Sequence, residues 1–153
     1  MELMIAMSVM SIGFLGVFAV LSQSLGLNRV VANQYIAANL AAEGIEVVKN
    51  ITDSNVARGD AWNLGLRSGD FGAQYDSEAK DLNEAWARIP LNFDSATGRY
   101  RYDAKTPTKF QRTVSINNIP GGNEMQVKSV VMWSDRGGTL FEIKLEDRFF
   151  NWR

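Results

Sequence analysis

Residues 3–28 contain no charged side chain, and residues 3–21 read LMIAMSVMSIGFLGVFAVL, almost continuously apolar. Nineteen such residues in helical form rise about 28 Å, close to the ~30 Å hydrocarbon core of a bilayer. A helix apolar on every side needs a large protein core around it, or lipid. A secretory signal would start with basic residues and end at a small-residue cleavage site. This segment instead opens with Glu2, has no Lys or Arg before Arg29, and runs on into more helix-favouring sequence. It reads as a stem whose solvent is lipid or other stems.

The remaining sequence is of another kind. Residues 53–153 hold 28 of the 33 charges, 14 of each sign, and all three prolines, Pro90, Pro107 and Pro120. The net charge of −1 averages two unlike parts and supplies no global attraction to nucleic acid. Without Cys or His there is no disulfide framework, thiol nucleophile, zinc finger, imidazole base or serine triad. The head shows no Gly-rich phosphate loop, metal-ligand spacing or activated nucleophile. The chain is therefore read as no enzyme, with no cofactor, catalytic residue or metal ligand assigned.

Between stem and head, residues 22–51 are free of proline and rich in Ala, Leu, Gln and Glu. Leu27, Val31, Ala38, Ala41, Ile45 and Val48 recur at steps of three, four or seven, as one apolar face. Val30, Ala37, Leu40, Gly44, Val47 and Ile51 form a second. One domain needs only one stripe. Two predict packing against the chain's own head on one side and other helices on the other, with Val31, Ala38, Leu40, Ile45 and Val47 as helix-packing positions. A single-domain reading leaves the second set unexplained. The whole helix is expected to span about 50 residues, on the order of 75 Å.

These signals predict an α+β chain. Its N-terminal helix covers residues 1–52, a stem at 1–25 and an amphipathic half at 26–52 that packs on the head. The head covers 53–153. Its first part, 53–97, is expected to be loop-rich, with Gly59, Gly65, Gly69 and Gly72, aromatic anchors at Trp62, Phe71 and Tyr75, and a short helix at 77–86. Antiparallel strands follow over 98–147. Arg99-Tyr100-Arg101-Tyr102 alternates strictly, and Phe110, Arg112, Val114 and Ile116 share one face. Pro120-Gly121-Gly122-Asn123 and Asp135-Arg136-Gly137-Gly138 are turn sequences. Val130-Val131 points to a bulge in the strand between them, and Phe141, Ile143 and Leu145 alternate with Glu142, Lys144 and Glu146. Three strands on short turns make an antiparallel meander, one face on the helix and the other largely solvated.

Glu2-Leu3-Met4-Ile5-Ala6, Ser11-Ile12-Gly13-Phe14-Leu15-Gly16-Val17 and Ala41-Ala42-Glu43-Gly44-Ile45-Glu46, followed by a meander, resemble the type IV pilin superfamily. They are similar to its glutamate-led apolar stretch, its small-residue helix segment and its Ala/Glu-rich lower helix. The stem match covers about one third of the chain, and the head matches in architecture alone. Its ending, from Val131-Met132-Trp133 to Asn151-Trp152, looks like pilin-like proteins of small uncultivated bacteria. The chain departs from the family in having no basic leader with a Gly-aromatic cleavage site, no helix-kinking stem proline and no C-terminal cysteine pair. The first departure is read as a leader and about three mature residues preceding Met1. The last leaves the C-terminal end to packing by Phe149, Phe150 and Trp152 or to hydrogen bonds.

The resemblance implies a filament subunit, anchored in the cytoplasmic membrane by its stem and then polymerised with copies of itself into an extracellular type IV pilus. An assembly ATPase, a platform protein and a prepilin peptidase–methylase are the implied partners. The expected alternatives are a minor pilin or pseudopilin of a secretion or DNA-uptake system, and a single-pass membrane-anchored binding module. A carboxylate bordering hydrocarbon calls for a partner. For Glu2 the resemblance supplies the N-terminal ammonium of a neighbouring subunit, and a headgroup position is the plainer alternative. Gly13 and Gly16, beside Phe14 and Leu15, predict close helix approach and local loosening of the stem within a filament, or ordinary transmembrane composition. Met1, Met4, Met7 and Met10 read as adaptable packing surface. Asp70, Asp76, Glu78 and Asp81 read as a solvated acidic loop rather than a Ca²⁺ site, because Lys80 stands where an oxygen ligand is needed. Arg99, Arg101, Lys105, Lys109 and Arg112 form the one basic cluster, a weak nucleic-acid candidate with Asp94 and Asp103 interleaved. Asn50-Ile51-Thr52 is a glycosylation tripeptide of the kind chance supplies.

Overall fold

The computed structural model describes residues 1–135 and 138–151, Leu25 by its backbone only. Its first element is a single helix, α1 (Glu2–Arg58). The helix passes the expected end at residue 52 because its stop signal lies further on. Gly59 takes φ 80°, its N–H donates to Val56 O at 3.0 Å, and the Asp60 N–H reaches back to Asn55 O at 3.0 Å. This pair of bonds is a Schellman closure, which needs a residue tolerant of the left-handed region. Asn55, buried, turns its side chain to the following loop and donates to Trp62 O (3.2 Å) and Leu64 O (2.9 Å). Asp53-Ser54-Asn55 therefore continues the helix, and one of its residues secures the exit.

The chain forms two compact units, Met1–Ile36 and Ala37–Arg153. The first is helical, and its described side chains through Arg29 are exposed. Ser8 and Ser11 donate their hydroxyls to the carbonyls of Met4 and Met7, each at 2.8 Å. Neither serine thus presents an unsatisfied hydroxyl to an apolar surrounding.

The second unit holds the rest of α1, β1 (Gly69–Phe71), β2 (Asn92–Asp94), β3 (Arg99–Arg101), β4 (Thr106–Pro107), β5 (Gln111–Asn118), β6 (Glu124–Ser134) and β7 (Leu140–Phe150). The α+β class is observed, and β5, β6 and β7 form the expected antiparallel meander, with β7 reaching past residue 147. The main sheet runs β1-β5-β6-β7, all antiparallel. Three expectations are corrected. The stretch 53–97 is not loop alone, since β1 pairs onto β5 (Phe71 opposite Val114) and β2 lies within it. Arg99–Arg101 belongs to a second sheet, β3-β2-β4, rather than to the meander. Finally, β6 has no bulge: Val130 pairs with Thr113 and Val131 with Arg112 in unbroken register. Met125, Val127, Ser129, Val131 and Trp133 are buried along it, and Val130 stands on the other face. The helix expected at 77–86 is two short 3-10 turns, Ala79–Asp81 and Trp86–Arg88. Arg136, Gly137 and Trp152, read above as turn and packing residues, lie outside the described residues; Phe149 packs on the core, and the Asn151 N–H donates to Asn123 O at 2.9 Å.

The core forms where α1 crosses the sheet. Ala37, Leu40, Ala41, Gly44, Val47, Val48, Ile51 and Asn55 are buried as one stripe at helical spacing. Val47, Val48 and Ile51 pack with Val114, Ile116, Met125 and Val127, and with Trp62, Leu66 and Phe71 from the connecting segments. Each fully buried aliphatic or Phe side chain contributes on the order of 1.5–3 kcal/mol. Aromatic rings join the two sheets: Phe93 meets Tyr100 (5.2 Å), Tyr100 meets Phe110 (6.0 Å) and Phe110 meets Trp133 (6.1 Å).

Helix and sheet approach most closely at Gly44. A Cβ there would overlap Ser129 Oγ and lie 3.0 Å from Val114 Cγ2. Ala at a helical position gains up to ~1 kcal/mol over Gly, whereas overpacking a tight contact costs ~1–3 kcal/mol. Gly44→Ala is expected to lower unfolding stability by about 1–2 kcal/mol, and Ser129→Ala in the same chain to recover part of the loss. A double-mutant cycle in urea checks both.

Candidate functional site

The largest exposed apolar surface is the N-terminal part of α1. An 18-residue window there has mean hydropathy 2.3 with none of it buried, which is long and apolar enough to cross a membrane. Phe14 and Leu15 are 55% and 69% exposed. A Cβ at Gly13 or Gly16 would meet nothing within 4 Å, so no contact inside the chain requires glycine there. Glu2 lies in the first turn, exposed.

The packing positions on α1 divide. Leu40 and Val47 are buried against the sheet at 3% exposure each. From Ala37 onward the second apolar set (Ala37, Leu40, Gly44, Val47, Ile51) is buried on the head, joined by Ala41 and Val48 from the first. Ala38 and Ile45 are half-buried, and Val31 is 61% exposed. Leu27 and Val31, with Tyr35 beside them, carry the outward surface of this stretch.

The basic cluster loses a member. Arg112 is wholly buried, because β5 alternation sends it inward in phase with Phe110, Val114 and Ile116. Its Nη1 donates to Leu40 O and to Glu43 Oε1, both at 2.9 Å, and its Nη2 donates to Ala73 O. One guanidinium carried by β5 thus binds the helix and the segment after β1. Tyr102 donates its hydroxyl to Arg112 O at 3.2 Å, and burial pushes that phenol up from its ordinary pKa.

On the surface, Arg99 stacks over Tyr75 at 4.1 Å. Arg101 holds Asp103 in a two-point bond at 2.7 and 2.8 Å and donates to Tyr75 Oη at 3.1 Å. That bond holds the Asp103 carboxyl below the usual carboxylate range. Asp76 is 3.6 Å from Arg101, and Lys109 is 3.7 Å from Asp135. The charges of Arg101 and Lys109 are met locally by carboxylates, unlike the uniform stripe that tracks phosphates.

The acidic loop is likewise used up in pairs. Asp70 accepts from the Ser115 hydroxyl, Asp81 from the Glu78 N–H at 3.0 Å, and Glu78 pairs with Lys80 at 3.1 Å. Among the described residues no group of three His, Cys, Asp or Glu is placed to hold a metal ion. A groove of about 540 Å³ beside the end of α1 is lined by Ile51, Leu64, Phe71 and Leu82, with Arg58, Arg67 and Lys80 around them. Each of these cations has a carboxylate partner: Asp60 at 3.2 Å, Glu84 at 2.8 Å and Glu78 at 3.1 Å. The glycosylation tripeptide lies inside α1, with Ile51 buried and the Thr52 hydroxyl donating to Val48 O at 3.1 Å.

The chain matches no defined protein family, no curated protein and no solved structure.

Sequence reasoning placed Arg112 on the right face and then grouped it by charge with the wrong neighbours. Arg112→Met keeps most of the side-chain volume and removes the polar contacts, so it is expected to lose about 1–3 kcal/mol of stability. Arg112→Ala, which adds a cavity, is expected to lose more. Chemical denaturation of the two variants checks the order.

Proposed function

We propose that this chain is a structural subunit of a type IV pilus-like filament, held in the membrane by the N-terminal part of α1 and polymerised through it. The observation that carries the reading is a helix with an exposed, uncharged, apolar N-terminal stretch whose C-terminal part, residues 37–58, is built into the core of an antiparallel sheet domain. Such a surface is stable only in lipid or among other apolar helices. Moving stems from one of these to the other changes apolar burial little, so close packing and polar pairing decide the register. Gly13 and Gly16 suit that packing, because no contact within the chain uses them. Glu2 suits the pairing role as the sole charge before Arg29. The assembly ATPase, platform protein and prepilin peptidase are proposed with this reading, as is passage from cytoplasmic membrane to cell surface.

A second reading, a single-pass anchored binding module, gains from the burial of Leu40 and Val47 in the head, which removes one reason to require neighbouring helices. The two readings differ in what the exposed residues of α1 touch. Electron microscopy of the purified full chain and of cells producing it is expected to show helical fibres. Glu2→Gln is expected to leave membrane insertion intact while abolishing fibres, and the double variant Leu27→Cys/Val31→Cys to give a ladder of crosslinked multimers on oxidation. Fibres formed normally by Glu2→Gln would overturn the pairing role. Monomers throughout would favour the anchored module.

A further inference from the structure

We infer that β7 pairs antiparallel with β7 of a second copy of this chain, about a two-fold axis through Leu145, joining two main sheets into one of eight strands. The inference needs only the sheet domain and is independent of the filament reading. β7 is the edge strand of the main sheet and is eleven residues long. A straight edge of this length is a template for another strand, and proteins ordinarily shorten, bend or cover it. β7 does none of these: it pairs with β6 in unbroken register over its whole length.

The side chains of β7 are complementary to themselves. Centred on Leu145, antiparallel pairing places residues whose numbers sum to 290 opposite one another. On the outer face, Glu142 then meets Arg148 of the second copy and Lys144 meets Glu146, each pair twice, with Leu140 against Phe150 at the ends. On the face shared with the buried side of β6, Phe141 meets Phe149, Leu145 meets itself, and Ile143 meets the exposed Asp147, the one unlike pair of the register. Leu145 lies opposite the buried Ser129 yet is 37% exposed, and Phe141 and Ile143 are half-buried, so the core of one copy covers this side of β7 incompletely. Opposite charges and aromatic or aliphatic pairs directly across a ladder are favourable, and like charges are not.

The two neighbouring registers fail this test, and one centred on Ile143 leaves Asp147 to Phe150 outside the pairing. A shift by one residue turns every side chain to the other face. Moving the centre to Lys144 sets Lys144 against itself and Glu142 against Glu146. Moving it to Glu146 sets Glu146 against itself and Lys144 against Arg148. The matched register is also the one that pairs the full strand, with about ten backbone hydrogen bonds. It lengthens contacts already present: Lys128 and Glu146 are 3.7 Å apart, and Arg148 and Glu124 are 2.7 Å apart, so Lys128, Glu146 and the second copy's Lys144 alternate in sign, as do Glu124, Arg148 and the second copy's Glu142. A two-fold contact between identical patches closes on itself.

The test uses the full chain in detergent micelles, followed by sedimentation at low salt. The unmodified chain is expected to dimerise, and more weakly as salt rises. Lys144→Glu alone and Glu146→Lys alone each set like charges across the axis twice, and each is expected to raise the dimer dissociation constant by about tenfold or more. An equimolar mixture of the two variants restores both opposite pairs and is expected to recover dimers. Both positions are exposed, so folding is not at issue. In a chain without cysteine, Leu145→Cys is expected to crosslink across the axis on oxidation, since directly opposed strand positions lie within disulfide range. Leu140→Cys is expected not to. A monomer at all concentrations, dimers indifferent to Lys144→Glu, or crosslinking at position 140 in preference to 145 would overturn the inference. None of these outcomes depends on whether fibres form.

Discussion

The sheet domain depends on how closely α1 can approach the sheet, and a hydrogen-bonded cation guards that approach. Gly44 lets the helix backbone sit against Ser129 and Val114. One turn earlier, Arg112 reaches from β5 to Leu40 O and Glu43. Its third contact, Ala73 O, ties in the segment that follows β1. A buried cation is favourable only when its donors are answered. Here Nη1 and Nη2 are answered from two parts of the chain other than the strand that carries them, while Nε has no protein partner, so the contact forms only once helix, β5 and the β1 connection are all in place. Apolar packing of Val47, Val48 and Ile51 drives the association, while Gly44 and Arg112 decide at which turn it happens.

Long periodic elements were legible in the sequence. The apolar run, the helix beyond it and the three meander strands each repeat a pattern often enough to be counted. What was missed is short or depends on tertiary contact. β1 is three residues, Gly-Asp-Phe, too few for any alternation to register. The end of α1 was set at 52, where the apolar periodicity ends with Ile51, although the left-handed glycine that terminates the helix stands at 59. Which of two apolar faces meets the sheet could not be weighed from hydrophobicity alone. The small side at Gly44 was the sign that distinguished them. Arg112 was visible as an inward position and hidden as a core residue, since a charged side chain is grouped by habit with surface charges.

The stem is legible in another sense. Its composition states what solvent it requires, and its serines, closed onto their own helix, state that it asks for no polar partner along most of its length. The proposed pairing at Glu2 and close approach at Gly13 and Gly16 would be properties of neighbours, to be read in the proposed assembled state. The charges along β7 pair with β6 inside the chain through Glu146 and Arg148, and their order along the strand would match its own reversed copy in the dimer inferred above.

The two edges of the main sheet are unequal, three residues at β1 against eleven at β7. A strand added at β7 finds a full-length ladder, but the far edge offers the next molecule almost nothing to hold. The sheet can therefore accept one neighbour without inviting a queue. If copies gather through their stems as proposed, this asymmetry would keep β-pairing finite, so that a high local concentration of the domain would not seed the endless stacking from which amyloid grows.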